Sequence, residues 1–515
     1  MAKVMFFNLK NWVIHQYWEK CLAKHMELNQ DEVICVNLTS PIGGDDLKTG
    51  RMYEHIHSHI SAKTGEQATK MFQVRNNVRL EDYFTTEDLQ KIERVLGKAT
   101  IKELKTLVYK GITVGKLVRT SCVRQAHTID EDSPEYQSFF YDNISTALYY
   151  IDAFERLLTQ HQPDTVFCMN GIFFAERILV EMCKVRKTRI VTYERAARPQ
   201  HLYITANEPI NTFNFDNRFD AMKDIALTEQ ETKDIENYLK DRRTSRNTTQ
   251  KFQDTQTDDL DLTKKYIKYD ELRDKKKRIV TLFTNVMWDT AAVDKDTIFC
   301  NVQDWCIKSI DYAAKNPDIE MFIRIHPADA RYWGFAGAKQ LQDEILKIVP
   351  QLPSNVHLIK SQEKINSYCL AELSDVCVTY TSQIGVEVAA IGRPLIIAGE
   401  AFYRNKGFGC TPITQEEYFH VLKNGVFEAD KEIALRYAHF LYFKMHYPFN
   451  CIVEDATKGM GVITELKFVT DGHIDFNYIK NDEELKKIAD YVREGITDEY
   501  MCPIYKVTPP QEVKQ

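Results

Sequence analysis

The fold of this chain is decided by residues 373–409, LSDVCVTYTSQIGVEVAAIGRPLIIAGEAFYRNKGFG. Within them, residues 376–380 form an almost continuous apolar and β-branched run, which is typical of a strand buried on both faces of a parallel sheet. Residues 384–391 then carry apolar side chains at helical spacing, and a Gly-Arg-Pro triplet ends that helix. The apolar residues 395–398 predict the next parallel strand. The stretch is therefore a predicted βαβ unit of an α/β protein.

The turn between the first strand and the helix is polar and consists of Thr381, Ser382 and Gln383. Hydroxyls and free N–H groups at the carboxyl edge of a parallel sheet are where α/β proteins hold anions. A phosphate site is one interpretation, and a hydroxyl that only caps the helix is the other. Glu387 favours the site, because a carboxylate inside an apolar helix requires a polar partner.

The segment after the second strand, residues 399–409, begins and ends with glycine and carries Tyr403, Arg404 and Lys406. Loops at the carboxyl edge of such a sheet often carry functional side chains. The sequence therefore predicts that this loop covers a ligand bound at the polar turn.

Length and composition exclude several classes of protein. A chain of 515 residues with 44% hydrophobic and 27% charged residues predicts two domains with proper cores plus additions. The formal net charge of −7 gives no drive toward nucleic acid. The 12 cysteines are scattered singly, which indicates reduced core residues, and with no run of 18 apolar residues we expect a cytoplasmic protein.

The amino-terminal half repeats the same plan, with predicted strands at residues 3–8, 32–37 and 165–169. The first strand is followed by a loop without the GxGxxG fingerprint, so no dinucleotide cofactor is expected. His15 lies in this loop, which spans residues 8–15. Exposure to water is the simpler interpretation of this histidine, and a position facing a cleft is the alternative.

Two polar turns follow neighbouring strands of this half. Asn170 and Gly171 come after one strand, and Glu194 and Arg195 come after the next. An ordinary surface pair of Glu194 with Arg195 is one interpretation. A functional carboxylate at a sheet edge is the other, because sites in α/β proteins are built there.

The middle of the chain changes character. Residues 206–275 combine a turn-rich segment with a densely charged one, which predicts an interdomain connection and a solvated helical insert. Two D-x-D patterns, at residues 130–132 and 259–261, and a histidine triplet at His55, His57 and His59 suggest metal ligands, but each lies in a polar run without supporting motif residues. No metal site is expected.

A second α/β half begins with a strand at residues 278–283, followed by the polar sequence TNVMWD at residues 284–289. The next strand, residues 320–325, ends in His326 and a proline. Because proline blocks helix formation, the histidine is held in extended geometry at the strand edge, where it could meet a phosphate together with Arg324.

These motifs together resemble the capsule polysaccharide biosynthesis family, whose best-known members are Kdo transferases of the glycosyltransferase-B (GT-B) type. The resemblance rests on TNVMWD, IRIHP and residues 373–409, and in the first half on YKGITVGKLVRTSCVRQ and FCMNGIFFAERILVEMCKVRKTRIVTYER. It spans most of residues 1–420. The strand, hydroxyl turn and GRP pattern also resembles teichoic acid glycerophosphotransferases, and the HP plus hydroxyl-turn pairing resembles bacterial sialyltransferases.

The resemblance implies two Rossmann-like domains facing across a cleft, with a nucleotide-sugar donor in the carboxyl-terminal one and a glycan acceptor in the other. We expect boundaries at residues 1–205, 206–275, 276–430 and 431–515, the second being the charged insert and the last a set of helices and a tail. His326 matches the HP histidine, Thr381 and Ser382 match the hydroxyl turn, and Glu387 falls where GT-B proteins often bind ribose.

The implied reaction transfers a sugar from a CMP-Kdo-like or other nucleotide donor to a polysaccharide or lipid-linked glycan, without a metal or cofactor. The donor-site residues expected are Asn285, Asp289, Arg324, His326, Thr381, Ser382, Glu387, Tyr403 and Lys406. Glu194 is the first candidate for the carboxylate that acts on the acceptor side and Glu176 the second, as a base or as a nucleophile.

Alternatives remain open at this point. One is a glycerophosphotransferase of the teichoic-acid type, and another is a GT-B-shaped binding protein without catalysis. Basic faces such as residues 102–116 suggest peripheral membrane contact at the inner face of a membrane, although a solvated face explains them equally simply.

Overall fold

A computed structural model describes residues 1–9, 13–38, 64–97, 99–212, 216–244, 258–330, 340–425, 429–454 and 462–494. The chain divides into two compact units. The first unit contains Met1–Gln125, Gln137–Thr212 and Phe443–Gln515, and the second contains Ala126–Tyr136 and Phe213–Tyr442.

The first unit is built on a sheet of mainly parallel strands. The strands that precede the second unit are β1 Lys3–Asn8, β2 Glu32–Asn37, β3 Asn77–Arg79, β4 Val108–Tyr109, β5 Ile112–Thr113, β6 Thr165–Met169, β7 Arg189–Arg195 and β8 His201–Ala206. Strand β1 pairs with β2 on one side and β6 on the other, both in parallel. Because the apolar residues of β1 are buried on both faces, helices must cover both sides of this sheet.

The helices of the first unit cover both faces of its sheet. Before the second unit they are Val13–Leu28, Thr64–Phe72, Thr86–Leu96, Ile101–Lys105, Val114–Ala126, Pro134–His161 and Phe174–Arg186, with 3₁₀ turns at Leu80–Tyr83 and Ile210–Thr212. The helix Val13–Leu28 follows β1 and is buried along most of its length. The first unit is thus an α/β domain in which β1 is an interior strand.

The second unit contains a five-stranded parallel sheet. Its strands are β9 Arg278–Phe283, β10 Ile319–Arg324, β11 Val356–Ile359, β12 Val376–Thr379 and β13 Leu395–Ile397, in the order β11-β10-β9-β12-β13. The chain therefore adds β10 and β11 on one side of β9, and then β12 and β13 on the other side. The point of reversal lies between β9 and β12, and such a switch point is where open α/β sheets bind ligands.

The helices of the second unit include those of the predicted insert. They are Asp216–Asp220, Glu229–Arg243, Leu260–Ile267, Tyr269–Asp274, Val302–Ala314, Leu341–Ile348, Ser367–Leu373, Ile384–Ala390, Gln415–Asn424 and Lys431–His439, with a 3₁₀ turn at Pro327–Ala330. Arg243 forms ion pairs with Asp258 and Glu372, and Arg273 pairs with Asp375. The ion pairs to Glu372 and Asp375 therefore anchor helices of the predicted insert to the rest of the second unit.

The chain returns to the first unit after a π-helical turn, Phe440–Lys444. This return segment contains β14 Tyr447–Pro448, β15 Ile452–Glu454, β16 Ile463–Leu466, β17 Val469–Thr470 and β18 His473–Ile474, and the helices Phe476–Asn481 and Glu483–Glu494. Strand β14 pairs antiparallel with β8 and completes a seven-stranded sheet. The sequence predicted only helices and a tail for residues 431–515, so the strand that closes this sheet was not foreseen.

The two units have the α/β class predicted from the sequence, since each contains a sheet with parallel strands and helices. This division places residues 213–275 in the second unit and residues 443–515 in the first, whereas the predicted boundaries treat each stretch as a separate piece. No helix in the described ranges is long and apolar enough to cross a membrane.

Candidate functional site

The candidate site lies at the carboxyl edge of the sheet of the second unit. Strands β10, β9 and β12 are adjacent there, and Arg324, Phe283 and Thr379 lie at the same level across them. The residues that follow these three strands therefore meet at one edge. They include His326 after β10, the TNVMWD segment after β9 and the hydroxyl turn after β12.

Two residues of TNVMWD connect the three strand ends. The Thr284 hydroxyl donates to the Arg324 carbonyl at 3.2 Å and accepts from the His326 N–H at 3.1 Å. On the other side, Asn285 Oδ1 accepts from the Thr381 N–H at 3.2 Å. TNVMWD therefore holds His326 and the hydroxyl turn in a fixed relation to each other.

A backbone contact decides which nitrogen of His326 carries the proton. The N–H of Ala328 donates to Nδ1 at 3.1 Å. A nitrogen that accepts a hydrogen bond is unprotonated, so the proton of the neutral ring is on Nε2. The neutral ring of His326 is therefore the Nε2–H tautomer.

The hydroxyl turn does not cap the helix that follows it. Thr381 donates its hydroxyl to the Ala291 carbonyl at 2.8 Å, and the helix Ile384–Ala390 has no side-chain cap. Within the described residues, the Ser382 hydroxyl and the N–H groups of Ser382 and Gln383 have no hydrogen-bond partner. The interpretation of this turn as a plain cap is therefore wrong, and three donors of the turn remain for a ligand.

Tyr403 lies beneath this turn. It is 1% exposed, and its hydroxyl bonds to the Ser382 carbonyl at 2.6 Å and to the Thr379 hydroxyl at 2.9 Å. A Cβ on Gly385 would lie 2.3 Å from the Tyr403 hydroxyl oxygen, so only glycine allows this approach. The predicted role of Tyr403 as a cover over the donor is wrong. Tyr403 supports the turn from below.

Glu387 has the polar partner that the sequence predicted. It is 2% exposed and forms an ion pair with Arg242, whose Nε is 2.6 Å from Oε1. Tyr368 and Tyr442 donate their hydroxyls to the same carboxylate. With three partners inside the protein, Glu387 is occupied by its own chain, and this arrangement does not agree with the predicted contact to ribose.

Arg324 also has a structural role. It is 1% exposed, and its guanidinium donates to the Lys360 and Glu363 carbonyls at 2.6 and 3.3 Å. Burial lowers the pKa of Arg324 to about 10. A guanidinium enclosed in this way joins strand ends, so the expectation that it meets a phosphate directly is wrong.

The two remaining candidates lie in the segments that follow β9 and β13. Asp289 is partly exposed, and its Oδ1 accepts from the Ala291 N–H at 3.1 Å and the Thr290 hydroxyl at 3.2 Å, which orders the segment after β9. Lys406 is partly exposed in the loop after β13. Both therefore stay predicted ligand contacts.

In the first unit, Glu194 lies at the end of β7 as predicted. Its Oε2 accepts from Asn170 Nδ2 at 2.9 Å, and its Oε1 accepts from the Arg195 N–H at 2.8 Å. Burial raises the pKa of Glu194 above its ordinary value, although these hydrogen bonds and the charges of Arg195 and Arg124 oppose the rise. The two predicted polar turns therefore meet through Asn170 and Glu194.

Arg195 does not pair with Glu194 through its side chain. Its guanidinium lies 2.8 Å from Glu454 of the return segment. The interpretation of residues 194 and 195 as an ordinary surface pair is therefore wrong. Glu176, the second candidate carboxylate, is buried in the first turn of helix Phe174–Arg186.

Sequence reasoning missed a buried chain of polar groups beside β7. The Tyr193 hydroxyl donates to Glu19 Oε1 at 2.6 Å and lies 3.2 Å from His15 Nδ1. His15 is 5% exposed, so its interpretation as a water-exposed histidine is wrong. Burial raises the pKa of Glu19 to about 8, although the Tyr193 bond opposes this. The available signal was the i, i+4 spacing of His15 and Glu19.

Metal ligands do not cluster in the part of the chain that the structure describes. Asp259 of the second D-x-D accepts from the Leu262 N–H and caps helix Leu260–Ile267. Asp130 of the first orders a turn by accepting from the Asp132 N–H. The histidine triplet lies outside the described residues.

The family described as "Capsule polysaccharide biosynthesis protein" matches residues 198–444 of this chain. That range contains TNVMWD, the HP element and the hydroxyl turn. The predicted resemblance to this family is therefore confirmed there. The match does not reach the motifs of the amino-terminal half, where the resemblance stays a prediction. No curated protein sequence matches the chain.

Three solved structures are among those similar to the chain. KpsC of Thermosulfurimonas dismutans, a beta Kdo 2,4 transferase, is 14% identical over 62% of this chain and 88% of its own, with a TM-score of 0.36. The beta Kdo 2,7 transferase of KpsC from the same organism is 13% identical over 61% of this chain and 85% of its own, with a TM-score of 0.34. A putative UDP-N-acetylglucosamine 2-epimerase from Listeria monocytogenes is 11% identical over 95% and 97%, with a TM-score of 0.25. Each of these TM-scores is below 0.5.

Proposed function

We propose that the protein is a glycosyltransferase of surface polysaccharide synthesis that uses a nucleotide-sugar donor. One observation carries the proposal. At the switch point of the second unit, three donors of the turn Ser382–Gln383 have no acceptor among the described residues, and His326 follows β10 at the same edge of the sheet. The three donors of the turn, which have no acceptor among the described residues, suit a phosphate.

The proposed role of this edge is to stabilise the leaving nucleotide. As the glycosidic bond breaks, negative charge develops on the phosphate that leaves. The Ser382 hydroxyl, the two N–H groups of the turn and the Nε2 proton of His326 would bond to its oxygens. These groups are held in place before the reaction, so little reorganisation is needed. Because they supply positive potential, the proposed reaction does not require a divalent ion.

The other residues predicted for the donor site divide into two groups. We propose that Asn285 positions the turn, that Asp289 orders the neighbouring segment, and that Lys406 approaches the donor from its loop. The structure gives Tyr403, Arg324 and Glu387 buried positions, so we propose that these side chains shape the site without touching the donor.

We propose that Glu194 is the carboxylate that acts on the acceptor side. It is held by Asn170 and an N–H, and burial raises its pKa above the ordinary carboxyl value, which makes it a stronger base. Removal of a proton from an acceptor hydroxyl is one role, and attack on the sugar with retention of configuration is the other. The proposed acceptor is a polysaccharide or lipid-linked glycan on the cytoplasmic side.

Sugar transfer in Ser382→Ala and His326→Ala tests the proposal. The protein would be incubated with CMP-Kdo and a panel of nucleoside diphosphate sugars, and nucleotide release and glycan product would be measured. Each loss removes a hydrogen bond to a charged group, worth about 1.5–3 kcal/mol, so turnover should fall about 10- to 100-fold.

Ser374→Ala is a matched control. Ser374 precedes β12, whereas Ser382 follows it. The Ser374 hydroxyl bonds to the Thr281 hydroxyl and to the Leu370 carbonyl. Ser374→Ala should lower stability and leave turnover per folded molecule unchanged. Wild-type transfer in both Ser382→Ala and His326→Ala would contradict the donor-site assignment.

A further inference from the structure

The predicted insert contributes a buried charge next to the hydroxyl turn. Arg242 lies at the end of helix Glu229–Arg243 and forms its ion pair with Glu387 in helix Ile384–Ala390. Their side chains are only 16% and 2% exposed. A buried ion pair is costly unless its remaining groups are well bonded.

Further contacts satisfy this pair. Arg242 lies against the rings of Tyr238 and Tyr442, at 5.9 and 5.3 Å from their centroids. Burial alone would lower the pKa of Arg242, but the Glu387 carboxylate and the nearby tyrosines hold it above its ordinary value. Arg242 therefore stays charged, and the pair is a permanent part of the second unit.

One tyrosine connects this pair to the hydroxyl turn. Tyr442 donates to Glu387 Oε1 at 3.0 Å, and its oxygen accepts from Gln383 Nε2 at 2.8 Å. Gln383 is the last residue of the turn and immediately follows Ser382. A continuous path of polar contacts thus runs from Arg242 through Glu387 and Tyr442 to Gln383.

We propose that this path, the Arg242–Gln383 path, positions the hydroxyl turn for the leaving phosphate, so that Arg242, Glu387 and Tyr442 are positioning residues. The inference rests on the proposed function of the turn. Tyr403 fixes the Ser382 carbonyl from below, and Tyr442 fixes the Gln383 side chain from the π-helical turn Phe440–Lys444. Two tethers on consecutive residues hold the intervening Gln383 N–H in one orientation.

Hydrogen exchange tests the positioning independently of any reaction. The N–H groups of Gly385 and Val386 donate to the Ser382 and Gln383 carbonyls, so their exchange reports on the order of the turn. Tyr442→Phe removes the path while keeping the ring. We expect about 10-fold faster exchange of these two amides, as for loss of a buried hydrogen bond worth about 1.4 kcal/mol.

Tyr418→Phe is the matched control. Tyr418 is also fully buried in the second unit, and its hydroxyl bonds to Trp305 and Ser309, away from the turn. It should leave exchange at residues 385 and 386 unchanged. Gln383 is partly exposed, and Gln383→Leu breaks the same path. Adding Tyr442→Phe to Gln383→Leu should therefore speed exchange at residues 385 and 386 only a little further. Equal exchange in Tyr442→Phe and Tyr418→Phe would overturn the positioning proposal.

Kinetics separates this proposal from the proposed function. If the path positions the turn, Tyr442→Phe should lower kcat for sugar transfer about 10-fold while Tyr418→Phe leaves it unchanged per folded molecule. Normal transfer in Ser382→Ala together with altered exchange in Tyr442→Phe would reject the donor site and keep the positioning. Reduced transfer in Ser382→Ala with normal exchange in Tyr442→Phe would keep the donor site and reject the positioning proposal.

Discussion

The carboxyl edges of the two sheets are built from opposite chemistry. At the edge of the second unit, the turn Ser382–Gln383 presents donors, and the nearby carboxylate Glu387 is buried and neutralised by Arg242. At the edge of the first unit, burial raises the pKa of Glu194. Burial also raises the pKa of Glu19, which bonds to Tyr193 of the same strand, to about 8.

This difference teaches how the chain divides the proposed reaction. Donors without acceptors favour a ligand that carries negative charge and does not exchange protons with the protein. Carboxyl groups with raised pKa values favour a ligand that gives up a proton near neutral pH. In the proposed reaction, the leaving phosphate needs the edge of the second unit, and the acceptor hydroxyl needs the edge of the first unit. The following predictions test this division, from the largest expected effect to the smallest.

Glu194→Gln should abolish most sugar transfer. The amide keeps the shape of the side chain but cannot act as base or nucleophile, so kcat should fall about 10²- to 10⁴-fold. Nucleotide binding should be unchanged, because that chemistry belongs to the other edge. The measurement is steady-state transfer with calorimetric binding beside it. In the wild type, transfer should decline on the acid side at a pH above 4.5, the ordinary carboxyl pKa.

Glu181→Gln is the control for this change. Glu181 is a partly exposed carboxylate of the same unit that bonds to Arg177 on the surface of its helix. It should retain wild-type transfer at every pH. Full activity in Glu194→Gln would remove Glu194 from the chemistry and break the comparison between the two edges.

Gly385→Ala should destabilise the second unit by about 2–4 kcal/mol. The added Cβ would meet the Tyr403 hydroxyl at 2.3 Å, which forces Tyr403 away and breaks its bonds to Ser382 and Thr379. Urea unfolding measures the free energy. The same change in a Tyr403→Leu background should cost clearly less, since the hydroxyl and ring atoms nearest to the new Cβ are absent. Additive losses in that double-mutant cycle would show that Tyr403 does not support the turn.

Glu19→Gln should change how stability depends on pH. The folded pKa of Glu19 is raised to about 8 from an ordinary 4.5, so its contribution to stability is fully present below pH 4.5 and is lost as pH rises through about 8. As the pH rises from 4.5 to about 8, the free energy of unfolding of the wild type should therefore fall by up to a few kcal/mol relative to that of Glu19→Gln, because each pKa unit corresponds to about 1.4 kcal/mol. Urea unfolding at pH 5, 7 and 9 measures this. A constant difference, as expected for the exposed control Glu135→Gln, would contradict it.

Lys406→Ala should have the smallest effect. A partly exposed cation near a phosphate contributes modestly, so the donor KM should rise several-fold with kcat unchanged, and the effect should shrink with added salt. Lys423→Ala, an exposed lysine of helix Gln415–Asn424, is the control and should change neither constant. An unchanged donor KM in Lys406→Ala would place the loop after β13 away from the donor.

The parallel strands could be predicted from the sequence because buried strands are continuous apolar runs. Strands β1, β2, β6 and β9 have the predicted bounds. The strand order could not be read from these runs, since nothing local to β9 shows that β10 and β12 lie on either side. Strand β14 was missed because a two-residue pairing leaves no periodicity and its partner β8 is distant in sequence.

At the candidate site, sequence reasoning found groups but not their orientation. The isolated charge of Glu387 predicted a partner, yet only the fold shows that Arg242 supplies it. Tyr403 lies in a glycine-bounded loop, which suggested a cover, whereas the space left by Gly385 lets it pack underneath. His15 and Glu19 were hidden because a helix buried on nearly all sides has no clear polar face.

Calorimetric titration of the wild type and Ser382→Ala with CMP, UDP, GDP and CDP-glycerol tests the central claim most directly. We predict that a nucleotide of the donor class binds the wild type and the control Ser374→Ala equally and binds Ser382→Ala about 10- to 100-fold more weakly. Binding of CDP-glycerol alone would indicate the glycerophosphotransferase. No binding at millimolar nucleotide, or equal affinity in Ser382→Ala, would contradict the assignment of this sheet edge as a nucleotide phosphate site.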